Sequence, residues 1–284
     1  MRWMELEAPD FDLSRTLDSG QVFHWEKCGD GFAGAIGPRG VFVEQRGKRL
    51  RFSGVTAETI TSYFALDHQL AKICRSFPDD PALTAARDFC QGLRIIRQPR
   101  WECLATFITS SMKQVAHIRQ ISRALRTRYG QRHRVKECAA PSFPTPSRVA
   151  KLTEPDLRAC ALGYRAKNLL ATARLVASGD ADLEQWSTLS EETLRARLCE
   201  LPGVGAKVAN CVMLFAYERL RAFPIDVWIE RVLRQKYFPN QQKVTATQLR
   251  AFCETYFGEH GGYAQQYLFH HARKGGATPG TAAP

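Results

Sequence analysis

Leu201-Pro202-Gly203-Val204-Gly205-Ala206-Lys207, then an apolar run to Tyr217 and Phe223-Pro224-Ile225-Asp226, is the stretch that decides the fold. Leu201-Pro202 stops the preceding helix, because proline disfavours αR in the residue before it and cannot continue a helix. Gly203 and Gly205 permit positive φ and bring backbone close to another molecule without an intervening Cβ. The stretch therefore predicts a tight hairpin opening into a helix. Amides in such a turn, next to the positive end of the helix, form an anion site suited to phosphate. In the helix, Val204, Val208, Val212 and Phe215 fall on one stripe, while Lys207 and Cys211, four apart, share another face. Lys207 lies in the first turn, where the helix dipole disfavours a cation, so its amine is a candidate nucleophile of the Schiff-base kind. Asp226 precedes Val227-Trp228-Ile229 and is predicted to be a helix N-cap.

The rest of the chain bounds the partner. There are 284 residues, enough for two or three compact units, and a net charge of +12. That excess favours a polyanion, most simply nucleic acid. Nine cysteines are scattered without a C-x-x-C pair or a secretory leader, which predicts reduced thiols in a cytoplasmic, nucleoid-associated protein. The spacing needed for an iron–sulfur cluster is missing. No stretch is long and apolar enough to span a membrane.

Taken in order, residues 1 to about 54 predict an antiparallel meander. Its short runs are Val22 to Trp25, Phe32 to Ile36, Val41 to Glu44 and Leu50 to Phe52, separated by glycine turns. Asp18-Ser19-Gly20-Gln21 just before them is a turn whose glycine could expose its carbonyl. After Thr56 the period is helical. Asp79-Asp80-Pro81 opens a helix with Leu83, Ala86, Phe89, Cys90 and Leu93 inward, and Pro99 opens another over 101–109. A basic helix then runs to Tyr129, with His117, Arg119, Arg123, Arg126 and Arg128 on phosphates or on a solvated face. Pro141 to Pro146 reads as a linker. Thr153-x-x-Asp156 and Thr245-x-x-Gln248 read as capping boxes, and Ser190 caps a helix over 191–200. Gly261-Gly262 hinge into a last helix, where Gln265 and Phe269 lie four apart.

The hairpin, the helix-borne Lys207, Pro224-x-Asp226 and their spacing together resemble the helix-hairpin-helix glycosylase superfamily, and most closely its 8-oxoguanine DNA glycosylase branch with lyase activity. The likeness runs from Ser19-Gly20-Gln21 to Gln265-x-x-x-Phe269. It implies an α+β fold: an N-terminal antiparallel β domain (1–76) on a mostly helical glycosylase core of two subdomains (77–273), followed by a flexible tail (274–284). It implies a monomer acting on double-stranded DNA that contains oxidised guanine, with no required cofactor.

The resemblance also assigns roles. Lys207 attacks C1′, expels the flipped base and forms a Schiff base, while Asp226 stabilises the cationic sugar. Gly20 offers its carbonyl to the N7–H of the oxidised base, Gln265 bonds the Watson–Crick edge, and Phe269 and Cys211 sandwich its faces. Amides of Gly203, Val204 and Gly205 hold phosphate, with Trp228 also on the DNA side. Carbonyls of Cys199, Leu201 and Val204 are candidate ligands of a structural ion, as in relatives. The sequence departs from the eukaryotic branch at Met112-Lys113-Gln114, in place of an asparagine run, and at His117, in place of an arginine. Tyr164-Arg165 is then the remaining apparent reader of the opposite base, with Met112 as an apolar wedge, and a weaker opposite-base preference is expected. Two other readings stay open: a related glycosylase for another damaged base, and a hairpin DNA-binding module without chemistry.

Overall fold

The structure, a computed structural model, describes residues 3–111, 113–241 and 243–275. It begins with a five-stranded antiparallel sheet: β1 (Trp3–Glu7), β2 (Glu26–Cys28), β3 (Gly31–Ile36), β4 (Arg39–Arg46) and β5 (Arg49–Ser53), in the order β1-β5-β4-β3-β2. Strand alternation gives β4 two buried faces. Val41 and Val43 join Leu13, Leu17, Leu50, Phe52, Ile60 and Phe64 under α1 (Leu13–Asp18) and α2 (Ala57–Tyr63). Phe42 points the other way, onto Cys28, Val135 and Ala140.

Several details differ from the sequence reading. Val22 to Trp25 is not a strand; pairing starts at Glu26, because Trp25 turns inward to donate from Nε1 to the Tyr63 hydroxyl at 3.0 Å. Strand β1 and helix α1 were not predicted, the first because its alternation is only partial. A two-stranded hairpin, β6 (Arg134–Val135) and β7 (Cys138–Ala139), also escaped the pattern and covers the far face of the sheet. It is tied there by a disulfide between Cys28 and Cys138, so the expectation that all the thiols are reduced is corrected. Sequence spacing could not show that two residues 110 apart lie side by side.

The remaining helices are α3 (Leu70–Arg75), α4 (Pro81–Phe89), α5 (Arg100–Ser110), α6 (Val115–Tyr129), α7 (Pro146–Ala150), α8 (Glu154–Arg158), α9 (Arg165–Ser178), α10 (Glu191–Glu200), α11 (Ala206–Ala216), α12 (Val227–Tyr237), α13 (Ala246–Tyr256) and α14 (Gly261–Lys274). Both capping boxes form, as does the Ser190 cap, and Gly179 ends α9 in the left-handed region. Helix α5 is buried along most of its length and packs between α11, α9 and α6, while α14 lies against α4 and α12. One continuous apolar core runs through all of these.

Phe89, expected inward, is 36% exposed and rests on the imidazoles of His270 and His271. Arg126, read as a solvated or phosphate-facing cation, is buried: its guanidinium pairs with the Glu102 carboxylate on α5. His24 completes this cluster, its Nδ1 3.5 Å from Glu102, and burial together with Arg126 drives the imidazole well below its usual range. Pro141 to Pro146 is not a free linker. Ser142 and Phe143 are buried, and Pro146 is the first residue of α7.

Candidate active site

The hairpin forms between α10 and α11. Gly203 takes φ +82°, and a Cβ there would meet Asn168 of α9 at 2.8 Å, so both backbone freedom and close approach require glycine. Gly205 departs from the sequence reading: it is the N-cap of α11, its φ is −99°, and a Cβ would point into open space, so neither backbone freedom nor close approach within the chain requires glycine there. The turn is fixed by the Val204 amide donating to the Leu201 carbonyl at 3.1 Å and by the Thr172 hydroxyl donating to the Pro202 carbonyl at 3.0 Å.

Helix α11 then carries Lys207 and Cys211 into a cavity of about 490 Å³. Asp226, Trp228, Gln265, Phe269 and Gly20 line the same cavity. Four separate segments thus bring together residues that the sequence reading named. The Lys207 ammonium sits 5.2 Å from the centre of the Phe107 ring, which stacks on Phe215 at 5.5 Å. Asp226 caps α12, its Oδ1 accepting the Ile229 amide at 2.9 Å. Burial raises the Asp226 carboxyl above its ordinary range, against the lowering pull of that amide and of the Lys207 charge. Burial likewise pushes the Cys211 thiol up to about 11, although Lys207 nearby opposes it. Cys211 is therefore a neutral apolar wall at pH 7.

Gly20 arrives from the β domain with φ +87°, and a Cβ there would lie 2.9 Å from both Phe269 Cε1 and Arg273 Nη1. Its neighbours lock it in place. The Ser19 carbonyl accepts from Gln266 Nε2 at 2.8 Å. Gln21 is fully buried: its Nε2 donates to the Arg94 carbonyl at 2.8 Å, and its Oε1 accepts the Ile96 amide at 2.7 Å. Gln265, 5% exposed, faces the cavity with a buried Oε1 that has no partner among the described residues.

His117, Tyr164 and Arg165 do not line this cavity. His117 is exposed in the first turn of α6. Tyr164 is 58% exposed, under the Arg165 guanidinium at 4.4 Å. Arg165 itself is buried, and its Nε donates to the Ser111 carbonyl at 2.8 Å. Met112 lies outside the described residues. Sequence reasoning missed Phe107, Gln266 and Arg273. The first fell within the helix read over 101–109, and the other two sit on α14, Gln266 three residues before Phe269 and Arg273 four after it, where the helical repeat alone would have pointed.

No helix among the described residues is long and apolar enough to cross a membrane. Residues 4–104 match the family described as 8-oxoguanine DNA glycosylase, N-terminal domain, and residues 105–257 match the HhH-GPD superfamily of base excision DNA repair proteins. A probable N-glycosylase/DNA lyase of Methanothermobacter thermautotrophicus is 27% identical over 96% of this chain and 97% of its own. The structure of MBOgg1 in complex with a low-affinity DNA ligand is 31% identical, covers 97% of this chain and all of its own, and superposes with a TM-score of 0.90. The Clostridium acetobutylicum 8-oxoguanine glycosylase/lyase, bound to double-stranded DNA with cytosine opposite 8-oxoguanine, is 29% identical over 96% of this chain and 98% of its own, with a TM-score of 0.89. With a helix-borne amine and a capping carboxylate on one cavity that both halves of the molecule complete, the chain belongs to the 8-oxoguanine glycosylase/lyases of the HhH-GPD superfamily.

Proposed function

We propose that this chain excises 8-oxoguanine from duplex DNA and then nicks the strand at the resulting site. The observation that carries this reading is that Lys207 and Asp226 share a cavity with Gly20, Cys211, Gln265 and Phe269. A flipped purine fits between an amine nucleophile and a set of base-sized walls. Unstacking costs a few kcal/mol, less at a damaged base, which is one source of selectivity.

The Lys207 amine attacks C1′ as the bond from C1′ to the base nitrogen breaks, and the base leaves with a proton. Opening of the sugar converts the amine–C1′ bond into a Schiff base. Loss of the C2′ proton from that cation expels the 3′ phosphate, and water then releases Lys207. Asp226, half-buried, places its carboxylate where positive charge develops on the sugar, a position in which electrostatic stabilisation is strongest. The unpaired Gln265 Oε1 suits a donor on the Watson–Crick edge, and the Gly20 carbonyl suits the N7–H that guanine lacks. The Gly203 and Gly205 amides face the phosphate, the Val204 amide being engaged within the hairpin. Carbonyls of Cys199, Leu201 and Val204 are the oxygens offered to a structural ion, which would serve only to stiffen the turn. The protein acts as a monomer, without a cofactor.

Reductive trapping with borohydride on an 8-oxoguanine duplex tests this directly. A covalent adduct with the native chain, lost in Lys207→Gln, is the expected result. No adduct with the native chain would leave a DNA-binding module, and an adduct on a different lesion alone would leave a related glycosylase.

A further inference from the structure

Arg273 closes the cavity on the side of Gly20, and neither the hairpin chemistry nor the capping carboxylate accounts for it. Its Nη2 donates to the Asp18 carbonyl, and its guanidinium carbon lies 5.4 Å from the centre of the Phe269 ring. Nε and Nη1 are both buried without a hydrogen-bond partner among the described residues. Nη1 is packed at the position where any side chain on Gly20 would begin, 2.9 Å from it. Several arginines of this chain leave a buried Nε without a partner among the described residues, but Arg273 leaves Nη1 free as well, and two desolvated donors on one charged group are costly. The acidic groups nearby do not supply an acceptor. The Asp18 carboxylate is taken by Arg119 and Lys274, each at 2.8 Å, and Asp226 forms no ion pair with Arg273. Packing alone would be met as well by a leucine or methionine.

We infer that Arg273 is a specificity-determining residue whose free N–H groups donate to a carbonyl oxygen of the oxidised purine, on the edge next to the atom that Gly20 reads. The inference rests on the reading that the cavity holds the flipped base. N7 of 8-oxoguanine is flanked by two carbonyls, at C6 and at C8, so a donor beside Gly20 meets one of them. The contact has a direct consequence for selectivity. If the acceptor is the C8 oxygen, the pocket reads the lesion at two adjacent atoms, and ordinary guanine leaves both Gly20 and Arg273 unanswered.

The test uses the full chain with Arg273→Met and Arg273→Lys, comparing single-turnover excision on duplexes containing 8-oxoguanine, 8-oxoadenine (C8 oxygen only) or 8-aminoguanine (C6 oxygen only). Borohydride trapping on a duplex with a preformed abasic site, which contains no base, serves as the reference. Arg273→Met is expected to slow 8-oxoguanine excision at least tenfold more than it slows trapping on the abasic duplex, with Arg273→Lys recovering part of the loss. Retention of that gap on 8-oxoadenine assigns the contact to the C8 oxygen; retention on 8-aminoguanine assigns it to the C6 oxygen. Equal losses on lesion and abasic duplexes would make Arg273 a phosphate contact or a structural brace and overturn the inference, as would no loss at all. Failure of the native chain to trap on abasic DNA would instead defeat the underlying reading of the site.

Discussion

The ammonium of Lys207 lies over the face of Phe107, 5.2 Å from the ring centre, and not against a carboxylate; among the described residues it has no ion pair. An amine held by a ring and a thiol wall, rather than locked in a salt bridge, is free to reach a sugar carbon. Lys207→Gln should therefore remove the trapped adduct completely while changing affinity for abasic duplex only severalfold. Persistent nicking of lesion DNA at the native rate by this variant would show that another group is the nucleophile.

The observed cap and the proposed catalytic role of Asp226 separate by substitution. Asparagine caps helices about as well as aspartate, so Asp226→Asn should leave the melting temperature nearly unchanged while slowing excision by about 10²–10³-fold, the usual cost of losing one preorganised electrostatic partner. Asp226→Ala should lose the cap too, at ~1 kcal/mol. A large drop in thermal stability for the asparagine variant would assign the residue to structure instead.

The same carboxyl sets a pH dependence. Because burial raises it, excision should lose rate as pH falls at values above those of an ordinary carboxylate, and Asp226→Asn should flatten that acid limb. Stability has the opposite sign. The folded chain holds this proton more tightly than the unfolded chain, so the group favours folding at low pH and costs stability as pH rises through its folded value. Rate profiles at fixed substrate, alongside melting profiles, separate the two effects.

Arg165 was selected from sequence as a reader of the opposite base, yet it donates to the Ser111 carbonyl just after α5. In this position it fixes the segment leading to the residues that replace the eukaryotic asparagine run. With that donor engaged, the preference for cytosine opposite the lesion should stay below a hundredfold. Excision rates with cytosine, adenine, guanine or thymine opposite 8-oxoguanine check this, and a larger cytosine preference would contradict it.

Glu102 and Arg126 form a buried ion pair, and cutting one member leaves the other charged and unpaired. Glu102→Ala should cost about 3–5 kcal/mol, whereas replacing both by Leu and Met should cost far less. Urea unfolding of the single and double variants provides the comparison. On the far face of the sheet, reduction of Cys28–Cys138, or Cys28→Ser, should lower stability by about 2–4 kcal/mol through the freed loop. Identical urea midpoints with and without reductant would show that the crosslink adds nothing.

What the sequence made legible was local. The hairpin, the two capping boxes and the Asp226 cap are written in residues three to six apart, and each formed as its spacing required. That Gly20 and Gln265 share a cavity was legible only through resemblance, because they stand almost the whole chain apart and no local rule joins them. Features depending on three-dimensional proximity alone were misread or missed: the buried Arg126 and the Cys28–Cys138 link. A basic helix face looks the same in sequence whether its arginine meets water or a buried glutamate.

The bond from Gln266 to the Ser19 carbonyl joins one of the first turns of the chain to its last described helix. A chain without α14 would keep Lys207, Asp226, the hairpin and Gly20, but would lack Gln265, Phe269 and Arg273. Any fragment lacking that helix should consequently be judged by its choice among bases rather than by its ability to grip DNA.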